Sequence, residues 1–361
     1  MLISWGIIQS ALELGCIYAL VALALFLSYS MLNVCDLSTD GCYTLGCAVG
    51  SVVALSGHPV LAIFAAIGSG IASGFVTALL QTKMGIESLL AGIIVNTGLY
   101  TINIMIMGKS TLSLNDTTTV FTWAKSALAD TFLAPYYKLV VALVFMLIVV
   151  VLLLLFLRTR LGLSIRATGN NPAMVKSSSL NPTMMIIIGL CISNAITALG
   201  GCLIGEYNKT CDINMGTGMV TIALASLIIG ETMFGRRSIP WRAFGVIVGA
   251  VLYRIVVAIA LRLDMPATAL KLVSAVIVAV AISYPTIVKL LDFESKKMAA
   301  KGRNLYRIMQ IASLALAIVF FALAFAGLGN KALMILLAVL AVICLIWALR
   351  ADKKRKEMAA C

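Results

Sequence analysis

The sequence predicts an all-α polytopic membrane protein with about eleven transmembrane helices, and three observations carry that reading. Of 361 residues, 62% are hydrophobic and only 11% are charged, whereas soluble domains carry about a quarter of their residues as charges. The charges fall in short runs between long uncharged stretches. Those stretches are about as long as the ~20 apolar helical residues that cross a ~30 Å hydrocarbon core. A soluble enzyme is excluded. The 27 Lys and Arg against 14 Asp and Glu give a net charge of +13, and their position beside apolar windows reads as a membrane address, not a nucleic-acid surface.

The windows, in order, are 3–32, 37–55, 59–80, 88–107, 138–157, 183–206, 213–231, 243–262, 269–290, 305–326 and 332–350. The first is too long for a secretory signal, and the first basic residue is Lys83, so it is expected as a span. The second opens on polar residues, the fifth is apolar from Leu139 to Leu157, and the eighth contains Arg254. Residues 1–291 form the expected transport core, and 292–361 an extension with two further spans.

Basic residues set the orientation. Nineteen lie in or beside the loops at 81–87, 158–182, 232–242 and 291–304 and the tail from 350, and seven lie in the opposite set. The first set is therefore cytoplasmic. The Lys353-Lys354-Arg355-Lys356 run holds the C-terminus inside against anionic lipid.

A shift of about 175 residues aligns Cys35-Asp36-Leu37 with Cys211-Asp212-Ile213, Gly70/Gly74 with Gly245/Gly249, and Gly15 with Gly189. Small residues four apart let helices approach closely in lipid. Five spans separate equivalent points, so the second copy, spans 6–9, would be inverted relative to spans 1–4. Chance recurrence of glycine is the competing explanation.

Signatures of catalysis are missing. One histidine and nine cysteines form no HExxH and no CxxC, so no metal site is expected. Gly108-Lys109-Ser110-Thr111 imitates the end of a phosphate loop, but Asn103 stands where its first glycine belongs. Any ATP must be bound by another subunit.

The 158–182 loop is more informative. Gly169-Asn170-Asn171-Pro172 begins a short cytoplasmic helix, with Asn171 as N-cap and Pro172 at its first position, and Asn181-Pro182 ends it. The predicted helix presents Met174, Val175 and Leu180 for contact.

Arg166-Ala-Thr-Gly-Asn-Asn-Pro172, the span after it, and Gly216-Thr-Gly-Met-Val-Thr-Ile-Ala-Leu-Ala-Ser-Leu-Ile-Ile-Gly230-Glu231 resemble permease subunits of bacterial ATP-binding cassette importers. The similarity is to the branched-chain amino acid and ribose permease family. Asp36-Leu-Ser-Thr-Asp40-Gly41-Cys-Tyr-Thr-Leu-Gly46 and the Leu89–Gly108 stretch are similar to its tryptophan/tyrosine permease branch. The resemblance covers about residues 5–290 and leaves spans 10 and 11 outside. It implies a second permease copy, two cytoplasmic ATPase subunits, an extracytoplasmic solute-binding protein, and a multi-pass location in the bacterial cytoplasmic membrane. It also implies that the helix within Gly169–Leu180 docks on the ATPase and couples ATP hydrolysis to transport.

Two segments are expected to line a translocation path: Asp36 to Gly41, and Asp212 to Gly218, including Gly216. Each sets a carboxylate and glycine before a span. At mid-depth their helix N-termini would meet a substrate carboxylate, and Asp36 or Asp40 its ammonium; near the surface they would be ordinary capped starts. Asn96, Asn103 and Asn194 line the path or tie helices together. Glu13 and Arg254 lie at comparable depth and are expected to pair, with Glu206 and Glu231 as rival partners. A transporter driven by an ion gradient is the other class these residues allow.

Overall fold

The computed structural model describes residues 5–115, 117–127, 129, 134–235 and 238–262. The windows at 269–290, 305–326 and 332–350, the basic tail and the division at residue 291 lie outside them. Each of the other eight windows carries a helix: α1 (Trp5–Leu25, continued by a π-helical turn Phe26–Met31), α2 (Thr39–Leu55), α3 (Pro59–Thr82), α4 (Ser88–Met107), α6 (Tyr137–Arg158), α9 (Pro182–Asn208), α10 (Met219–Phe234) and α11 (Ile239–Arg262). Between them lie β1 (Thr111–Ser113), α5 (Val120–Ala127), α7 (Arg160–Asn170), α8 (Pro172–Ser177) and β2 (Thr210–Asp212). Among the described residues, six helices are long and apolar enough to cross a membrane. Among the described residues, the one departure from helix is an antiparallel pair of strands, with Leu112 opposite Cys211.

The windows at 37–55 and 213–231 depart from the expected spans. α2 has 17 residues and α10 has 16, giving lengths of about 24–26 Å, short of a full crossing. α10 starts at Met219, not near 213, because the chain turns through Gly218 at φ +88°, a left-handed conformation that glycine adopts without strain.

Close approaches organise the bundle around α9. A Cβ on Gly46 would lie 2.0 Å from the Ala198 carbonyl oxygen, and one on Gly201 would lie 1.9 Å from that of Tyr43. The series Cys42 to Asn194, Gly46 to Ala198 and Gly50 to Cys202 runs α2 parallel to α9. α3 is antiparallel to it, with Gly70 against Asn194 and Gly74 against Leu190. α1 is also antiparallel: Gly200 faces Val21, and the Ser193 hydroxyl donates to the Ala24 carbonyl at 2.8 Å. In lipid, apolar side chains gain little by leaving the solvent, so such backbone contacts carry much of the association.

Gly245 and Gly249 sit against Gly230 and Ser226 of α10, whereas Gly70 and Gly74 face α9. The 175-residue register therefore aligns unlike seams. The helix starts recur at a longer interval: Thr39 and Met219, Pro59 and Ile239.

Candidate translocation site

The segment before α2 reaches the middle of the bundle. Asn194, whose Nδ2 donates to Asp36 Oδ2 at 2.8 Å, stands twelve residues past the start of α9 and fourteen before its end. Asp36 is 1% exposed, and its Oδ1 also accepts the Ser38 amide at 2.8 Å and the Ser38 hydroxyl at 2.6 Å. α2 thus begins level with the middle of α9 and runs to the face where α9 ends.

α10 begins beside it and runs the opposite way. Asp40, in the first turn of α2, accepts the Val220 amide on Oδ1 at 2.8 Å and the Gly218 amide on Oδ2 at 2.9 Å. Gly218 has no side chain to cap α10, so a carboxylate from another helix satisfies its open amides. Thr44 Oγ1 accepts the Gly216 amide at 3.1 Å, and a Cβ on Gly216 would lie 2.0 Å from the Asp40 carbonyl oxygen. Asp40 therefore lies between two helix N-termini, where the backbone dipoles favour an anion.

α4 closes the next side. Asn103, 1% exposed, donates through Nδ2 to the Gly41 carbonyl at 3.2 Å. A Cβ on Gly41 would lie 2.7 Å from Asn96 Oδ1 and 3.1 Å from the Leu99 side chain. Asp36, Asp40, Gly41, Asn96, Asn103, Asn194 and Gly216 are therefore one neighbourhood. Asp212 is not in it: its carboxylate accepts the Thr111 hydroxyl at 2.9 Å and the Asn214 amide at 2.8 Å at the strand pair. The sequence reading missed Thr44 and Thr77, whose hydroxyls bind locally and leave no periodic pattern.

Glu13 and Arg254 do not pair with each other. Glu13 accepts the Tyr207 hydroxyl and the Gln9 amide at 2.8 and 3.0 Å, while the Arg254 guanidinium lies 4.3 Å from the Tyr18 ring centroid. Glu206 accepts the Val120 amide at 2.8 Å. Glu231 pairs instead with Arg242, which also donates to Ser30 and lies over the Phe26 ring. This cluster joins α10, α11 and the π-helical turn.

On the face carrying the 158–182 loop, Asn171 accepts the Ala173 and Met174 amides at 3.1 and 3.2 Å, the cap that the Asn-Pro pair predicts. The helix it starts, α8, has six residues, shorter than expected, and α7 before it was not predicted. Met174 is 65% exposed and Leu180 is also exposed, but Val175 is buried and faces inward. Asn170 ends α7. Gly169 abuts the π-helical turn so closely that a Cβ would lie 2.0 Å from the Met31 carbonyl oxygen.

Long apolar helices and two shorter ones meeting start to start deep in the bundle define a multi-pass α-helical membrane protein. The chain belongs to the family described as branched-chain amino acid transport system / permease component, whose pattern matches residues 7–283. It is 36% identical to a tyrosine transport system permease protein of Clostridioides difficile, over 76% of this chain and 89% of that one. It is 31% identical to an uncharacterized protein of Rickettsia prowazekii, over 77% of this chain and 97% of that one. No solved structure matches the chain.

Proposed function

We propose that this chain is the membrane-spanning permease of an ATP-driven amino acid importer, with an aromatic amino acid as solute. The observation that carries it is the meeting of the α2 and α10 N-termini around Asp40 in a chain of this permease family. The tyrosine-transport name of the clostridial relative supports the substrate class.

In this reading, Asp36, Asp40, Gly41, Asn96, Asn103, Asn194 and Gly216 border the path, and Asp212 stands at its outer mouth. Opposed helix starts with broken backbone between them suit solute passage, because irregular backbone at membrane depth needs burial or a watery cavity. The opposite directions of α2 and α10, with helix starts recurring 180 residues apart at Thr39 and Met219 and at Pro59 and Ile239, support an inverted repeat of spans 1–4 and 6–9.

The loop from Gly169 to Leu180 acts as the docking element for separate ATPase subunits, with Met174 and Leu180 outermost. ATPase closure pushes α8, Gly169 bears on Met31, and the displacement reaches Asp36 through the chain between them. A second permease copy and an extracytoplasmic binding protein complete the assembly.

The test is reconstitution of the chain with its ATPase and binding protein in proteoliposomes, followed by labelled tyrosine. Uptake that requires ATP on the ATPase side supports the reading. Uptake driven by an ion gradient without ATP overturns it.

A further inference from the structure

Asp36 is almost wholly buried, yet no described Lys or Arg comes within ion-pair distance of it. Its oxygens accept three hydrogen bonds, from the Ser38 amide and hydroxyl and from Asn194 Nδ2. The start of α2 adds a partial positive charge of roughly half an electron charge. A buried carboxylate normally requires a fuller counter-charge than that.

The surroundings have oxygen acceptors to spare. Asn194 Oδ1 and Ser73 Oγ are buried, at 0% and 4% residue exposure; Asn194 Oδ1 has no hydrogen-bond partner, and Ser73 Oγ meets only the Cys42 thiol. Ser73 lies beside the Cys42 thiol, which donates to the Asn194 carbonyl at 3.3 Å. One turn along α3, the Thr77 hydroxyl donates to Ser38 Oγ at 3.2 Å. One N–H of Asn194 Nδ2 is spent on Asp36. Buried polar groups left without a partner call for a missing ligand or ion.

We propose that Asp36, Ser38, Ser73, Thr77 and Asn194 form a binding site for one monovalent alkali cation, which holds the start of α2 in place. The candidate ligands are a carboxylate, hydroxyls and an amide oxygen, the donor types that suit hard cations. A single carboxylate balances a single charge. The inference does not depend on how transport is powered.

The test is thermal unfolding of the purified full-length chain in detergent, with sodium replacing choline at constant ionic strength and pH. The expected result is a saturable rise in Tm of about 4 °C between 1 and 200 mM sodium, absent in Asp36→Asn and shifted at least tenfold in midpoint in Ser73→Ala. If Asp36→Asn does not fold, Ser73→Ala and sodium-23 line broadening on the unmodified chain decide. Equal Tm in sodium, lithium, potassium and choline overturns the site. So does a sodium effect that both variants retain, or stabilisation by acidification alone, which would make the bound cation a proton.

Discussion

The Asp40 carboxylate accepts the Val220 amide at 2.8 Å, so the first turn of α2 caps a helix that begins 180 residues later in the chain. The bond fixes two helix starts against each other. Whatever moves α2 relative to α10 must break or carry it.

Asp40→Asn keeps one acceptor oxygen but loses the charge and one of the two amide bonds. The expected outcome is a fall in stability of about 1–2 kcal/mol, with tyrosine uptake reduced at least tenfold and membrane insertion retained. Thermal unfolding and vesicle uptake measured on the same preparation check it.

Gly201→Ala places a methyl group 1.9 Å from the Tyr43 carbonyl oxygen, forcing α2 and α9 apart at a cost of about 1–3 kcal/mol. Gly98→Ala is the matched control. It meets nothing within 4 Å on α4, and the helix-propensity gain of roughly 0.5–1 kcal/mol should leave its Tm equal or higher.

Glu231→Gln removes one partner of the pair with Arg242, whose side chains are 8% and 16% exposed. Leaving that guanidinium unpaired should cost on the order of 3 kcal/mol. Recovery of Tm in the double variant Glu231→Gln with Arg242→Gln separates the charge effect from lost packing.

Met174→Asp puts a charge on the most exposed apolar side chain of α8. Assembly of the bundle should be unchanged, because this side chain faces outward, while ATP hydrolysis by the full complex no longer drives uptake. The ratio of solute moved to ATP hydrolysed reads the effect directly.

The helices of the bundle were legible because lipid demands long uncharged runs, and α6 has little else between Leu139 and Leu157. The Asn171 cap was legible because Asn-Pro combines a local acceptor with a preset first turn. The start of α10 was not, since hydropathy continues through Ile213 and Met215 while the backbone turns at Gly218. α7 was hidden because Gly162, Ser164 and Gly169 interrupt its apolar pattern. The gathering of Asp36 with Asn194 and of Asp40 with Gly218 arises from tertiary packing, which spacing along the chain does not encode.

The most direct measurement is reaction of Thr217→Cys, an exposed position beside Gly218 at the junction of the two half-length helices, with a charged maleimide in the reconstituted complex with its native reactive cysteines replaced. The account predicts labelling that tyrosine slows and that switches membrane side with the nucleotide state. A cysteine that never reacts, or that reacts equally from one side in every state, would contradict a solute path between α2 and α10.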